Sequence, residues 1–550
     1  MFGGETLARE NLLRDLSVLA GFFLLVFGLQ WAGGAYRADF TGHPDEAAHF
    51  VTGLMVRDYI AAGAPAAPRA YAENYYFHYP KVAIGHWPPF FYVVQAVWML
   101  FLPPSRFTII LLMTSIAAAS AWFLYSELRR RVPELTALFT GAVFVLLPLV
   151  QAHTGMVMAE MLVALLGLLA SIRFTRYLER GRGRDALLFG LLAALAILTK
   201  PIGVVLAAVP PVGVLLSGRL DLLKRWSFWA PAAIVLGLCA PWYFIVDRAF
   251  HDSWVDWGGI GIYESPWRLE WNQWHAQVGK ALLFAAGLGF LSLLVSLLRT
   301  GHAQPCWAVA AGLLGGFLAF RAFVGASHEA RVLLVGMPAF LMFVANGMAA
   351  AGSWVARSVP RARVAAACIV ALATSAFFVE RFRLVRRSPE GFAEAAADLM
   401  SRKELRNSVI LVSSLLLGEG ALIAEVALRD ERPGRIVLRA TKVLASVGWN
   451  GEDYDVRLDS PDQVAALLES IPVGVVVWDR APGLNAMQHH DFVVQALRRD
   501  PGRWEPIGFY PRPAAGSPRL EVYRQVGHEG RQRKPIRLDL RNRLGKILER

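Results

Sequence analysis

Charged residues are scarce in this chain. They make up 18% of its 550 residues, whereas soluble globular proteins carry about 25%. Apolar residues reach 55%, more than an ordinary core can bury, so a soluble protein is excluded. Cysteine is scarcer still. The three cysteines, Cys239, Cys306 and Cys368, lie in apolar runs at unrelated spacing, which excludes a disulfide framework and a zinc knuckle.

Phosphate-binding glycine motifs are missing as well. Neither a dinucleotide-binding pattern nor a P-loop occurs, so nothing indicates a bound nucleotide. The net charge of +13 would suggest a nucleic-acid partner in a soluble protein. Here most basic residues lie between long apolar runs, where they orient membrane helices, and we predict no nucleic-acid partner.

The apolar runs predict about eleven membrane spans, since runs of roughly 17–22 residues can cross the hydrocarbon layer. The predicted spans begin near residues 16, 107, 135, 156, 185, 202, 228, 278, 306, 331 and 364. The first run, 16–30, has no small-residue cleavage signature, so we interpret it as an uncleaved membrane helix. The predicted fold class is a polytopic α-helical membrane protein with a C-terminal soluble α/β domain.

Arginine-rich loops alternate with loops that are not strongly basic, and the positive-inside rule assigns the former to the cytoplasm. The loops 37–105, 151–155, 200–201, 248–277 and 325–330 then face outward, as does everything after residue 381. The apolar segment 88–101 is too short to span, so we expect a helix at the outer face. Four arginines just after the last predicted span, Arg381, Arg383, Arg386 and Arg387, go against the rule, although long C-terminal domains translocate largely regardless of charge.

The C-terminal third has a different pattern, in which short β-branched runs alternate with amphipathic stretches. Strands are predicted at 409–414, 435–440, 473–479 and in two more segments near the end, with helices at 391–403, 461–470 and 490–499. This alternation is typical of an α/β sandwich around a mainly parallel sheet. The predicted division is a membrane module at 1–385 with its outward loop at 37–105, a soluble domain at 386–528 and a basic tail at 529–550.

The first outward loop holds the strongest candidates for chemistry. Asp45 and Glu46 are adjacent, and His49 lies one helical turn beyond Asp45 if the segment is helical. A carboxylate pair at the membrane surface suits removal of a proton from an acceptor hydroxyl. The alternative interpretation is an ordinary helix start, because Pro44 and two acidic residues are common in a first turn.

Other predicted outward loops add charged residues. The candidates are His86, Glu160, Lys200, His328, Glu329 and Arg331. A carboxylate such as Glu160 inside an apolar helix is costly and usually functional, whereas Lys200 and Arg331 could be snorkelling residues. Five tryptophans in the loop 248–277 are typical of an interfacial belt, and sugar stacking is the alternative. Together these charges predict a site for an anionic, lipid-linked substrate.

In these motifs the chain resembles the GT-C superfamily of glycosyltransferases that use polyprenyl-phosphate-linked sugars. The resemblance covers residues 10–350 and includes protein O-mannosyltransferases, aminoarabinose transferases of lipid A and a galacturonosyltransferase-like group. It rests on the acidic motif at 43–50, the segment 88–92, Glu160, the motifs at 198–201 and 240–244, and the segment 328–340. The MIR domains of protein mannosyltransferases are missing from the sequence, which counts against that branch.

The resemblance implies an inverting transfer of a sugar to a lipid, glycan or protein acceptor on the outer face of the membrane. Asp45 would be the general base, with Glu46 as the neighbouring acidic residue, while Arg331 and Lys200 would hold the phosphate. His86 falls near a conserved family motif that Trp87 interrupts here, which puts its role in doubt. We predict no obligatory cofactor, and a divalent cation near Asp45, His49 and Glu160 is the alternative.

The expected location is the bacterial inner membrane, with the C-terminal domain outside the cytoplasm. The predicted partners are a polyprenyl-phosphate-linked sugar donor, its acceptor and membrane lipids. Two other functions stay open on the sequence: a transporter or flippase of lipid-linked sugars, and a non-catalytic subunit of a glycan assembly complex. Transporters tend to carry internal repeats and charges at mid-depth, and neither feature stands out here.

Overall fold

The structure, a computed structural model, describes residues 2–65, 67–249, 266–324, 329–356, 362–446, 454–480, 487–511, 519–527, 536–540 and 546–549. Its first part is helical. The helices are α1 (Phe2–Ala32), α2 (Pro44–Ala61), α3 (Pro68–His78), α4 (Phe90–Phe101), α5 (Arg106–Leu128), α6 (Glu134–Leu146), α7 (Pro148–Thr154), α8 (Glu160–Arg180), α9 (Gly183–Ile197), α10 (Val209–Ser217), α11 (Trp226–Ala249), α12 (Pro266–Thr300), α13 (Pro305–Phe323), α14 (Leu333–Val355) and α15 (Ala362–Glu380). Short 3₁₀ helices at Pro201–Ala208, Leu220–Lys224 and Ala330–Val332 precede α10, α11 and α14.

Seven of these helices are long and apolar enough to cross a membrane, and the bent pair α6–α7 would make eight. The seven lie in α1, α5, α8, α11, α12, α13 and α14, and each coincides with a predicted span. The three other predicted spans coincide with α9, with 201–217 and with Val364–Glu380 of α15, and these apolar segments are shorter. A multi-pass membrane protein is therefore confirmed, while the count of eleven spans stays a prediction.

The segment predicted to lie at the outer face forms α4, whose 12 residues are too few for a crossing. It packs mainly against α2 and to a lesser extent against α5, and Gly53 makes the close approach of Gln95 feasible. A Cβ at position 53 would meet Gln95 Oε1 at 2.6 Å. The short helix thus helps to enclose α2.

One long helix is interrupted where the sequence has a glycine. Within α12, Gly279 has φ 81° and ψ 171°, a conformation that other residues rarely adopt. The Glu380 carboxylate at the end of α15 accepts the freed Lys280 N–H at 2.8 Å. The N–H group that the break leaves without a partner in its own helix is therefore bound by a side chain from another helix.

The C-terminal domain, from α16 to β7, has the predicted α/β architecture. Its main elements are α16 (Phe392–Ser401), β1 (Val409–Ser413), α17 (Leu416–Arg429), β2 (Val437–Arg439), α18 (Ala440–Val443), β3 (Ala445–Ser446), β4 (Asp455–Val456), α19 (Pro461–Ser470), β5 (Val473–Asp479), α20 (Gln488–Arg499), β6 (Trp504–Pro511) and β7 (Arg519–Gln525). The central sheet has the order β2-β1-β5-β7-β6. Only β7 runs against the other four strands, so the sheet is mainly parallel in direction.

The two faces of this sheet belong to different cores. Along β1, Ile410 and Val412 join the hydrophobic core that continues into the helical part, whereas Val409 and Leu411 join a second core on the opposite face. This alternation is what a strand buried on both faces requires. The C-terminal domain is therefore packed onto the helical part through a shared core. The boundary predicted at residues 385–386 stays a prediction.

In the predicted basic tail, β8 (Arg537–Leu540) and β9 (Lys546–Glu549) pair as antiparallel strands. Part of the tail therefore pairs with itself.

Candidate active site

Asp45 and His49 lie on one face of α2. The helix starts at Pro44, whose fixed φ suits a first helical position, and the His43 side chain caps it by accepting the Asp45 N–H at 3.1 Å. Asp45 is 3% exposed and His49 1%. The helical spacing that the sequence suggested is therefore present, and it points both side chains in the same direction.

Arg331 joins Asp45 to two further carboxylates. Its Nη1 lies 2.6 Å from Asp45 Oδ2, and its Nε lies 3.4 Å from Glu160 Oε1 and 2.7 Å from Glu329 Oε2. Lys200 Nζ lies 2.5 Å from Glu160 Oε1. We call Asp45, Glu160, Lys200, Glu329 and Arg331 the charge cluster. All five were candidates from the sequence.

The cluster is assembled from four separate segments. Asp45 is in the first turn of α2, Glu160 is the first residue of α8, and Lys200 directly precedes the 3₁₀ helix at Pro201–Ala208. Glu329 and Arg331 lie at the 3₁₀ turn before α14. Because each segment starts a helix, the carboxylates of Asp45 and Glu160 also lie near positive helix ends.

The two carboxylates are deeply buried, and the cations extend toward the surface. The Asp45 and Glu160 side chains are 4% and 1% exposed, whereas those of Arg331 and Lys200 are 13% and 16% exposed. Burial alone would raise the pKa of Asp45, but the charges of Arg331 and His43 outweigh it and lower that pKa well below its usual range. Asp45 is thus held ionised.

His49 is held neutral beside these charges. Burial lowers the pKa of its imidazole to about 3, against the opposing effect of the Asp45 and Glu160 carboxylates. Its Nδ1 lies 3.0 Å from the Tyr92 hydroxyl, and its ring lies 4.3 Å from that of Trp87. Within the described ranges, His49 Nε2 and Glu160 Oε2 are buried without a hydrogen-bond partner. Such atoms are rare in native proteins, and here they could bind substrate groups.

Glu46 is not part of the charge cluster. Its carboxylate lies 2.5 Å from Arg106 Nη1 and 3.2 Å from Arg387 Nη2, and it accepts the Gly42 N–H at 2.7 Å. Arg387 also donates to the carbonyl of Asp39 at 3.2 Å. We call Asp39, Glu46, Arg106 and Arg387 the junction network, because Arg387 lies just before the C-terminal domain.

The other predicted site residues lie at the margin of the site or outside the described ranges. His86 packs on Trp87 with ring centroids 4.5 Å apart, so one aromatic ring separates it from His49. His328, Trp254 and Trp257 fall outside the described residues. Of the remaining loop tryptophans, Trp267 and Trp271 are well exposed and Trp274 is buried.

His43 is a site residue that the sequence reasoning missed. Besides capping α2, its Nδ1 lies 3.5 Å from Asp45 Oδ2 and its Nε2 lies 3.6 Å from Glu329 Oε2. The signal was its position directly before Pro44, where a helix cap is expected. No group of three or more potential metal ligands is arranged to hold an ion among the residues that the structure describes.

Residues 86–245 match the model of the dolichyl-phosphate-mannose-protein mannosyltransferase family. Two solved structures are similar to the chain over most of its length. ArnT from Cupriavidus metallidurans, bound to undecaprenyl phosphate, shares 14% identity at a TM-score of 0.52 and covers 93% of this chain and 99% of its own. The oligosaccharyltransferase of Archaeoglobus fulgidus in its apo form shares 11% identity at a TM-score of 0.56, covering 84% and 69%.

The archaeal oligosaccharyltransferase AglB, also from Archaeoglobus fulgidus, has been solved with an inhibitory peptide and a dolichol-phosphate. It shares 11% identity at a TM-score of 0.50 and covers 93% of this chain and 74% of its own. No curated protein sequence matches this chain.

Proposed function

Since the chain has the GT-C fold that its sequence predicted, we propose that it is a membrane glycosyltransferase that moves a sugar from a polyprenyl-phosphate donor to a lipid, glycan or protein acceptor. The observation that carries this proposal is the charge cluster. Two buried carboxylates and two partly exposed cations converge there from four segments. This arrangement supplies the two things the reaction needs, a proton acceptor and cations for the leaving phosphate.

Arg331 and Lys200 would hold the donor phosphate. Both cations reach the surface of the cluster, so an incoming anion meets them before it meets Asp45 or Glu160. The Arg331 guanidinium offers a planar fork of donors, whereas Lys200 offers a compact point charge. Together they stabilise the negative charge that develops as the phosphate leaves.

Asp45 would act as the general base. The acceptor oxygen forms a bond to the anomeric carbon of the sugar while the bond from that carbon to the phosphate oxygen breaks. The acceptor proton goes to Asp45, and the electron pair of the broken bond leaves with the polyprenyl phosphate. A single displacement of this kind inverts the anomeric configuration.

Binding of the donor would make Asp45 a better base. While Arg331 lies 2.6 Å from Asp45, it holds the carboxylate in its ionised, weakly basic form. A donor phosphate competes for the same guanidinium, and its binding weakens the contact to Asp45. We therefore expect ordered kinetics in which the donor binds before the acceptor.

The reaction would take place at the outer face of the bacterial inner membrane. This orientation rests on the arginine-rich loops, which the positive-inside rule assigns to the cytoplasm. A cysteine at Ser460 tests it in a Cys368→Ser background, because Cys239 and Cys306 are buried. We expect a membrane-impermeant thiol reagent to label intact cells, and labelling only after lysis would reverse the proposed orientation.

The direct test supplies the purified chain with a panel of radiolabelled undecaprenyl-phosphate sugars and an extract of cell-envelope lipids and glycans. We expect label to move to an acceptor, with the anomeric configuration inverted in the product. Movement of intact donor across the bilayer of a proteoliposome, without transfer, would favour a flippase instead. If the protein neither transfers sugar nor moves the donor, a non-catalytic subunit is favoured.

A further inference from the structure

The first ten residues after Pro44 in the helix that carries Asp45 are enclosed on all sides. Residues 45–54 of α2 are all buried, although α2 is not among the described helices that are long and apolar enough to cross a membrane. Asp45 and His49 share the face toward the charge cluster. Ala47 and Asp58 are eleven residues, about three turns, apart and therefore share another face, roughly opposite the first.

This second face of α2 lies against α17 of the C-terminal domain. A Cβ at Gly420 would meet Ala47 Cβ at 3.3 Å and Lys81 Cε at 2.8 Å. A side chain at position 420 would crowd Ala47 and displace the end of the Lys81 side chain, so glycine suits this close approach of the two helices. The helix α17 is itself buried from Gly418 to Ala427, so it separates α2 from the sheet of the C-terminal domain.

The far end of α2 is fixed by an ion pair to the same domain. Asp58 Oδ2 lies 2.6 Å from Arg432 Nε, and the Arg432 Nη2 donates to Asp58 Oδ1 at 3.3 Å. The Tyr75 hydroxyl donates to the same carboxylate at 3.0 Å. Both charged side chains are about nine-tenths buried, so the pair is well shielded from water.

The segment leading into α2 is fixed as well. The carboxylate of Asp39, five residues before α2 begins, accepts the N–H groups of Glu390, Phe392 and Ala393 at 2.7, 3.1 and 3.3 Å. A side chain from the membrane part thus satisfies the first N–H groups of α16. These groups have no partner within their own helix.

From these contacts we propose that the C-terminal domain positions the catalytic helix α2, so that Asp45 is held in reach of Arg331 and the substrate. The inference rests on the proposed transferase function, and it gives the domain a role in the chemistry rather than in substrate binding. Asp39, Asp58 and Arg432 are positioning residues, because their contacts described above join α2 and the segment before it to the C-terminal domain and not to the charge cluster.

The test replaces Asp58 by asparagine in the full-length protein. A displacement of about 1 Å at a catalytic group can cost about 100-fold, so we expect kcat for sugar transfer to fall between about 10-fold and 100-fold. Binding of undecaprenyl phosphate should not change, because Lys200 and Arg331 are intact. Arg432→Gln should behave in the same way. Glu431→Gln is the matched control, since its pair with Arg406 is exposed, and it should leave both quantities unchanged.

A double variant separates positioning from folding. If Asp58 acts through Asp45, Asp58→Asn should lower the residual activity of Asp45→Asn by less than twofold. An equal loss in both backgrounds, or a normal kcat in Asp58→Asn alone, would overturn the proposal.

Hydrogen exchange gives a readout that does not depend on activity. Amide exchange across residues 45–54 should speed up at least tenfold in Asp58→Asn and not in Glu431→Gln. Unchanged exchange would overturn the positioning role even in an active enzyme. If exchange is faster in Asp58→Asn but the wild-type protein transfers no sugar, the positioning of α2 is retained and the transferase function is rejected.

Discussion

Asp45 and Glu46 are adjacent in the sequence, and both carboxylates are buried, but their surroundings differ. Asp45 faces the charge cluster, where its partner Arg331 is shared with two other carboxylates. Glu46 faces the junction network, where it binds two arginines of its own and a backbone N–H. One helical turn therefore supplies one carboxylate to each of two different clusters.

The two clusters differ in how completely their charged and hydrogen-bonding groups are paired. The charge cluster contains partly exposed cations, a half-exposed Glu329 and a carboxylate oxygen of Glu160 without a hydrogen-bond partner. In the junction network, Arg106 and Arg387 also donate to backbone carbonyls, including that of Gly155. A cluster with unused capacity suits the binding of a substrate, whereas a saturated one suits the joining of two parts of a protein.

The largest effect that we expect is from Asp45→Asn. Loss of a general base typically costs about 10²–10⁴-fold in rate, and we expect kcat for sugar transfer to fall by that factor. Folding should be little affected, because Arg331 keeps Glu160 and Glu329 as partners. The rate is measured with the labelled donor, and the melting temperature in detergent is the control. Full activity in this variant would remove Asp45 from the mechanism.

Glu46→Gln should lower stability more than activity. It leaves the Arg106 and Arg387 guanidiniums without a carboxylate in a buried site, and breaking a buried pair typically costs about 3–5 kcal/mol. We expect a clearly lower melting temperature, with kcat per folded molecule reduced far less than in Asp45→Asn. If Glu46→Gln kept wild-type stability and lost activity as Asp45→Asn does, the two carboxylates would share one catalytic role.

The sequence was sufficient to identify both acidic residues as candidates, but it did not show that they belong to different clusters. Helical periodicity predicts that neighbours on a helix point about 100° apart. It does not reveal that Glu46 meets Arg106 and Arg387, which are 60 and 341 positions away. Separations of this size depend on the packing of whole helices. The pattern of outward loops predicted that Asp45 and Arg331, 286 positions apart, contribute to one site, but it did not predict that their side chains pair.

In the fold, strongly patterned segments were predicted well and α17 was missed. The strands β1, β5 and β7 and the helices α19 and α20 lie where the alternation of short β-branched runs with amphipathic stretches placed them. The helix α17 is buried from Gly418 to Ala427, including Glu419 and Glu425, so its acidic residues do not mark a solvent-facing side. Because this helix packs against α2, the missed element is one of those that join the C-terminal domain to the candidate site.

Arg331→Lys sharpens the comparison at the charge cluster. Lysine keeps the charge but loses the planar fork that now contacts Asp45 and Glu160. A charge-assisted hydrogen bond contributes about 1.5–3 kcal/mol, so we expect affinity for undecaprenyl phosphate to fall about 10-fold to 100-fold. Thermal shift with the carrier lipid measures this affinity, and Arg130→Lys at a half-exposed site is the control. Unchanged affinity would exclude Arg331 as a phosphate ligand.

The last effect is on stability alone and concerns Glu425 on α17, near Asp39 of the junction network. Burial is the main reason that its pKa rises to about 7 from 4.5, with Arg429 opposing and Asp39 adding to the rise. Between about pH 4.5 and 7 the folded state then binds the extra proton, so the free energy of unfolding falls as the pH rises, by up to about 1.4 kcal/mol per pH unit. His489 and His490, whose pKa values burial lowers to about 4, act in the opposite direction over pH 4–6.5. The measurement is therefore the melting temperature of wild type minus that of Glu425→Gln across this range. The difference should decrease steadily with pH, because only the wild type has a carboxyl group to ionise at this position, and a flat difference would show that Glu425 is ionised in the folded protein throughout.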